Sequence, residues 1–111
     1  MTRLSLGLDV STQSISAVVL DIESCAVIAE HSLDYRADER LNRFGIDKDY
    51  IIPTSIDGEA NQPAAMFFAA VDAVLADVSK NIDLRNIAVI NVSGQQHGHV
   101  YLNSGAKDIF N

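Results

Sequence analysis

The sequence predicts an α/β fold in which three antiparallel strands form a meander, and a helix then crosses over to a fourth strand parallel to the first. Three observations support this prediction. Short apolar segments separated by tight turns occupy residues 3–35. Residues 62–80 have the apolar periodicity of a helix, and a short apolar run at residues 87–92 follows them.

The meander is predicted from alternating patterns and short connections. The three expected strands span residues 3–10, 15–22 and 25–35. In the first, leucines alternate with Ser5, Gly7 and Asp9, so Asp9 should lie opposite the leucines near the strand's end. The second is rich in β-branched residues, which favour strands. The third begins at Cys25, which we expect to be a small core residue and not a nucleophile.

Residues 36–60 differ from the flanking segments in composition. They combine charges of both signs with Gly45, Pro53 and Gly58, and such punctuation predicts an irregular surface excursion. Within it, residues 50–52 have the composition of a short strand. A mixed charge run is usually a solvated loop, and closure over a ligand is the alternative.

The predicted helix has Pro63 in its first turn, where a missing N–H is tolerated. Four residues at helical spacing predict its core-facing side, with Phe68 and Leu75 beside them. They are Phe67, Val71, Val74 and Val78.

The segment after the helix is predicted as a strand with a parallel neighbour. Residues 87–92 show little alternation, which favours burial on both faces. A further short strand is expected at residues 98–102, and residues 109–110 are expected to begin a returning strand.

Composition excludes several classes of function. The chain has 111 residues, 48% of them hydrophobic, and a formal net charge of -7. No cluster of Lys and Arg is present for phosphate backbones or anionic lipids, so we expect no nucleic-acid or membrane partner. The single cysteine favours a reducing compartment. Because no apolar run approaches the ~20 residues of a membrane span and no signal peptide is recognisable, the protein is predicted to be soluble and cytoplasmic.

The loop after the first strand has the residue types of a phosphate site. Asp9 stands near the strand's end, and Ser11, Thr12 and Gln13 follow in the turn. A carboxylate can hold Mg²⁺, while hydroxyls and successive N–H groups can bind phosphate oxygens. An ordinary turn, in which these side chains bond local backbone, is the alternative.

The loop after the fourth strand, residues 93–98, has the residue types of a sugar site. Gln96 and His97 supply donors and acceptors that match sugar hydroxyls, and flanking glycines allow close approach of a ligand. The alternative is that His97 satisfies a buried carbonyl. Both loops leave the same edge of the predicted sheet, where ligands of open α/β sheets collect.

Together the two loops resemble a known family. The turn from Asp9 to Gln13 resembles the first phosphate motif of the actin-like ATPase fold, with serine at a position that is commonly glycine. The segment from Gly94 to Gly98 resembles the sugar-binding loop of FGGY-family carbohydrate kinases, above all the xylulokinases. The resemblance extends from Leu4 to about Leu102.

This resemblance implies part of a ribonuclease H-like (actin-like ATPase) fold and ATP-dependent phosphorylation of a ketopentose, with D-xylulose favoured. It implies ATP and Mg²⁺ as cofactors. Asp9 would take the magnesium-linked catalytic role, directly or through water. Gln96 and His97 would contact the sugar. Three residues would line the phosphates: Ser11, Thr12 and Gln13.

Two departures from the family pattern qualify these expectations. Ser16 stands where the family often has Lys or Arg. The aspartate that would deprotonate the sugar is expected beyond residue 111, as is the adenine pocket. Residues 1–111 are therefore predicted to be the truncated N-terminal part of a first kinase domain, inactive by themselves, with residues 36–60 as its variable excursion.

Two other functions remain open at this point. One is a non-catalytic module that binds a partner or self-associates, for example as a homodimer, through exposed sheet edges. The other is a different ATPase of the actin-like superfold, because the first loop does not distinguish between them.

Overall fold

The computed structural model describes residues 3–95 and 99–110, and for residues 109–110 the backbone only. Four strands are β1 (Leu4–Val10), β2 (Ser14–Asp21), β3 (Val27–Asp34) and β4 (Ile87–Gly94). The α-helices are α1 (Ala64–Ser79) and α2 (Ala106–Phe110), and two 3₁₀ helices span Glu39–Phe44 and Leu84–Asn86. Within the described residues, neither α-helix has the length and apolar character required to cross a membrane.

The strands form one sheet in the order β3-β2-β1-β4. β2 pairs antiparallel with both β1 and β3, and β4 pairs parallel with β1. α1 lies between β3 and β4 in the chain and supplies the connection that a parallel pair needs. The predicted meander, crossover helix and parallel fourth strand are therefore confirmed.

The core lies between one face of the sheet and α1. Alternation in β1 and β2 places Leu6, Ile15 and Val19 on that face, each at most 1% exposed. The buried stripe of α1 differs in part from the predicted one: Val74 and Val78 belong to it, whereas Phe68 is 59% exposed. The other buried helix residues are Met66, Ala70 and Ala73.

The excursion contains no strand at residues 50–52. Tyr50 has a φ of 66°, a left-handed conformation that cannot continue an extended segment, and its N–H donates to the Asp47 carbonyl in a turn. The regular structure of this region is instead the 3₁₀ helix Glu39–Phe44, which Asp38 caps and which ends at Gly45 with a φ of 61°.

Cys25 is not a core residue, contrary to the prediction. It is exposed with a φ of 58°, and its N–H donates to the Asp21 carbonyl in the β2–β3 turn. β3 therefore starts two residues later, at Val27. The apolar residues after Cys25 are typical of the start of a strand, but Cys25 itself forms the hydrogen bond that closes the turn and so cannot begin the strand.

The prediction that β4 is buried on both faces was wrong. Val89, Ile90 and Val92 are each half or more exposed. β4 is an edge strand, and α1 packs mainly over β2 and β3, so the described residues supply neither a second neighbour nor a covering layer.

The end of the chain also differs from expectation. Residues 99–102 are irregular, while residue 98 lies outside the described part. Residues 109–110 end α2 and do not begin a strand. Asn103 accounts for the change, because its side chain and its carbonyl accept hydrogen bonds from Gly105 and Ala106 and so start a helical turn.

Candidate functional site

The two predicted loops start from adjacent positions at one edge of the sheet. Asp9 of β1 is the register partner of Ser93 of β4. The Ser93 hydroxyl donates to Asp9 Oδ1 at 3.1 Å. Parallel pairing thus joins the end of the first loop's strand to the start of the second loop, as predicted.

Asp9 is an exposed carboxylate among hydroxyl groups. Its register partner on β2 is Ser16, on its other side from Ser93. Because directly paired residues share a face, both serines flank the carboxylate. Within the described chain, Asp9 has no ion-pair partner. The carboxylate is therefore available to a cation from solvent.

The residues around Asp9 fit Mg²⁺ only as a site shared with phosphate. Residues 3–95 and 99–110 contain no group of three or more His, Cys, Asp or Glu side chains that could hold a metal. Magnesium commonly uses one or two carboxylates and completes its shell with water and phosphate oxygens. Asp9 can supply that carboxylate, and the bound ion would neutralise charge on the phosphate.

The turn at residues 11–14, called the phosphate turn after its predicted role, has all four of its backbone carbonyls occupied by protein donors. The Tyr35 hydroxyl donates to the Ser11 carbonyl at 2.8 Å, and the Tyr35 N–H donates to the Gln13 carbonyl at 3.0 Å. The Gln62 side-chain amide donates to the Thr12 carbonyl at 2.7 Å. The Ser11 N–H and hydroxyl both donate to the Ser14 carbonyl at 2.9 Å.

Free donors of this turn belong to Thr12 and Gln13. Among the described residues no acceptor bonds their backbone N–H groups, and both residues are exposed. Ser11 differs, since both of its donors are used inside the turn. Successive free N–H groups in a turn with occupied carbonyls are suited to an anion. Of the predicted phosphate residues, Thr12 and Gln13 retain free N–H donors, and Ser11 shapes the turn.

Tyr35 holds the turn from inside the core. It is 1% exposed, and its ring packs edge-on against Phe67 of α1 with centroids 5.7 Å apart. Burial, and secondarily the charge of Asp9, raise the pKa of Tyr35 to about 12. The hydroxyl therefore remains a donor well into the alkaline range. Sequence analysis treated Tyr35 only as the end of a strand, and a single tyrosine gave no signal of this role.

Gln62 connects the turn to the excursion. Its Nε2 donates both to the Thr12 carbonyl and to the Tyr50 carbonyl, at 2.7 and 2.8 Å. Sequence analysis placed residue 62 at the helix start and assigned it no function. The contact spans 50 positions in the chain, so no local pattern could reveal it.

A cleft of about 680 Å³ opens beside the turn. Its lining includes Val10 and Gly94, which end β1 and β4, together with Phe67 of α1 and Gln62 of the segment before it. His99 also lines the cleft and was not predicted as a site residue. The predicted sugar contacts Gln96 and His97 lie outside the described residues. In the sequence they stand between Gln95 and His99, which both line this cleft.

Similar proteins are sugar kinases of much greater length. A probable D-xylulose kinase A from Arthroderma otae is 34% identical over 107 residues, which are 96% of this chain and 18% of that protein. No family model matches the chain. By these coverages, the chain spans about a fifth of the length of the curated relatives it matches.

Solved structures give the same result for the fold. A gluconate kinase from Lactobacillus acidophilus superimposes with a TM-score of 0.63 at 25% identity, covering 87% of this chain and 16% of that one. A ligand-bound xylulose kinase from the same organism gives a TM-score of 0.62 at 25% identity, with coverage of 86% and 16%.

These comparisons confirm the resemblance to carbohydrate kinases of the xylulokinase type, and they confirm the partial ribonuclease H-like fold. By their names the relatives are phosphotransferases that act on sugars.

Proposed function

We propose that this chain forms the phosphate- and sugar-facing edge of an ATP-dependent carbohydrate kinase that phosphorylates a ketopentose, D-xylulose. One observation carries the proposal. The backbone N–H groups of the exposed residues Thr12 and Gln13 have no acceptor among the described residues, and the exposed Asp9 carboxylate lies near the end of β1, the strand that leads into this turn and adjoins β4. Phosphoryl transfer depends mainly on such positioning and charge neutralisation.

Each residue of the first loop then has a defined role. Asp9 holds Mg²⁺, directly or through water, close to the transferred phosphate. Thr12 and Gln13 bind phosphate oxygens through their N–H groups, and the exposed Thr12 hydroxyl adds a further donor. Ser11 fixes the turn through its bonds to Ser14.

On the sugar side, Gln96 and His97 are proposed to contact the ketose hydroxyls. The cleft that Gln95 and His99 line, about 680 Å³, falls in the size range of small-molecule sites. D-xylulose is favoured over an aldonic acid because the curated relatives are named for xylulose, although the gluconate kinase has an equally similar fold.

A sugar titration tests this assignment. In a ¹⁵N-labelled chain, D-xylulose should shift the amide resonances of residues 93–99, D-gluconate should shift them less, and His97→Ala should abolish the response. Arg85→Ala serves as the control, since within the described part of the chain Arg85 pairs only with its near neighbour Asp83. A response to gluconate equal to that to xylulose, or one unaffected by His97→Ala, contradicts the assignment.

The chain alone is proposed to be inactive. It spans 18% of the relative from Arthroderma otae. None of the residues given a role above is proposed to deprotonate the sugar or to bind adenine. A coupled assay with ATP, Mg²⁺ and D-xylulose should show no turnover. Steady turnover by the purified 111 residues would overturn this part of the proposal.

A second candidate function rests on the exposure of β4. Its outer edge has no neighbour among the described strands, and Val89, Ile90 and Val92 are exposed on it. Such an edge favours self-association, in line with a non-catalytic module. Light scattering against concentration, with and without D-xylulose, separates the two functions: association that ignores the sugar supports the module.

A further inference from the structure

We propose that Gln62 is a positioning residue for the phosphate turn, and that it makes the free N–H group of Gln13 available to an anion beside that of Thr12. This inference rests on the proposed function, in which the turn binds phosphate. It adds a residue 50 positions away from the motif, on the segment that leads into α1.

The geometry fixes which way the Gln62 amide faces. Both groups within hydrogen-bond distance of its Nε2 are carbonyl oxygens, those of Thr12 and Tyr50. Exchanging the amide oxygen and nitrogen would set an acceptor against two acceptors, so the NH₂ group must face them. Both of its hydrogens are then used.

The bond to Thr12 matters because of the direction in which a peptide group points. The carbonyl of Thr12 and the N–H of Gln13 belong to the same planar peptide unit and point in opposite directions. A donor that holds the carbonyl toward the excursion therefore turns the Gln13 N–H the other way. Tyr35 fixes the two neighbouring carbonyls, of Ser11 and Gln13, and Gln62 completes the set.

The bond to Tyr50 anchors Gln62 on a rigid support. Tyr50 has a φ of 66°, which is unfavourable for a tyrosine and persists only when the surroundings determine it. Its N–H donates to the Asp47 carbonyl, and its hydroxyl donates to Asp34 Oδ2 at 2.6 Å. Gln62 adds a third bond, at the Tyr50 carbonyl. The excursion thus supports the phosphate turn through one side chain.

The test compares phosphate binding by three chains. Inorganic phosphate is titrated into ¹⁵N-labelled wild type, Gln62→Met and Asn61→Met, while the Thr12 and Gln13 amide resonances are followed. Gln62→Met keeps side-chain length and removes the donor. Asn61→Met places the same side chain one position away, at an exposed residue whose side chain has no hydrogen bond in the described structure.

In wild type and Asn61→Met, phosphate should shift both resonances with equal affinity. In Gln62→Met the affinity should fall about three- to tenfold, the equivalent of one lost hydrogen bond. Unchanged affinity in a folded Gln62→Met overturns the role of Gln62 and leaves the proposed function standing. Absence of a phosphate response in wild type overturns the phosphate turn and, with it, the role of Gln62.

A measurement on wild type covers the case in which Gln62→Met fails to fold. Scalar coupling across the hydrogen bond from Gln62 Nε2 to the Thr12 carbonyl carbon reports the contact directly. Observed coupling that persists on addition of phosphate supports the inference. Undetectable coupling in the folded chain, with other turn couplings resolved, overturns it.

Discussion

β1 and β4 lie side by side in parallel, and each leads into one of the two polar loops, yet their surroundings differ. β1 is paired on both sides, and its leucines are buried in the core. Among the described strands β4 is paired only with β1, and most of its residues are exposed. The loop after β1 is held by donors from distant segments, whereas the described start of the loop after β4 has one side-chain bond, from Ser93 to Asp9.

From this difference we infer that hydrogen bonds within the chain hold the phosphate side of the proposed site in place. The donors from Tyr35 and Gln62 come from residues whose positions depend on the packed core and the excursion. On the sugar side, by contrast, the strand lacks a covering layer within the described residues. Four predictions test whether the two sides are as unequal as they look.

The largest effect is expected from truncating register partners on the two strands. Leu6 and Ile90 face each other in the β1–β4 pair, but Leu6 is 1% exposed and Ile90 is 58% exposed. Leu6→Ala should lower the free energy of unfolding by about 2–5 kcal/mol, and Ile90→Ala by less than about 1 kcal/mol. Urea denaturation at low protein concentration measures both. Equal costs would show that β4 is buried in solution and would remove the contrast.

The second effect concerns the buried Tyr35 hydroxyl and high pH. Because its pKa is raised to about 12 in the folded chain from an ordinary 10, the unfolded chain releases this proton first. Stability should therefore be intact below pH 10 and fall between pH 10 and 12, by about 1.4 kcal/mol per pH unit for one proton.

Tyr35→Phe is the matched variant for this prediction. It should be less stable than wild type at pH 7 by about 1 kcal/mol, because the Ser11 carbonyl loses its donor. The difference from wild type should vanish and then reverse as the pH rises through that window, since phenylalanine has no proton to lose and the loss in wild type exceeds the initial gap. Parallel stability curves from pH 9 to pH 12 would contradict the assignment.

The third, smaller effect compares the stability contributed by an ion pair of the excursion with that of an ion pair next to β4. Arg40 bonds both Asp38 and Asp77, so it joins the excursion to α1, whereas Arg85 pairs with Asp83 two residues away, just before β4. Arg40→Ala should cost about 1 kcal/mol. Arg85→Ala should cost nothing measurable, because its side chain is 90% exposed.

The Arg40 effect should depend on acid pH. Hydrogen bonds from Arg40 lower the pKa of Asp77 below its ordinary 3.8, so this carboxylate contributes stability above that pH and loses it as the pH falls further. Wild type and Arg40→Ala should therefore converge below pH 3.8 in thermal unfolding. A difference that stays constant down to pH 2 would argue for lost packing instead of lost charge.

The smallest effect is expected where the two loops touch. Ser93→Ala removes the bond to Asp9, and since both groups are exposed the loss should be at most about 0.5 kcal/mol. Ser93→Thr keeps the hydroxyl and should match wild type. A cost above about 1.5 kcal/mol for the alanine variant, measured by urea denaturation, would indicate that the loops are coupled more strongly than one exposed bond allows.

The sequence alone was enough to determine the order and pairing of the strands. Alternation in β1 and β2, short turns between antiparallel strands and a helix before the fourth strand follow from local periodicity and chain geometry. The position of Asp9 on the face opposite the leucines follows from the same alternation. The motifs at residues 9–13 and 94–98 were likewise visible, because they are local in the chain.

Only the tertiary structure decided the exposure of β4, the turn at Cys25, the left-handed Tyr50 and the partners of the phosphate turn. The sequence of an apolar strand does not show whether another element covers it. Its burial therefore depends on which elements pack against it in the folded protein. The bonds from Tyr35 and Gln62 to the turn span 24 and 50 residues. Such contacts form only when the core brings distant segments together, and no pattern within a window of the sequence encodes them.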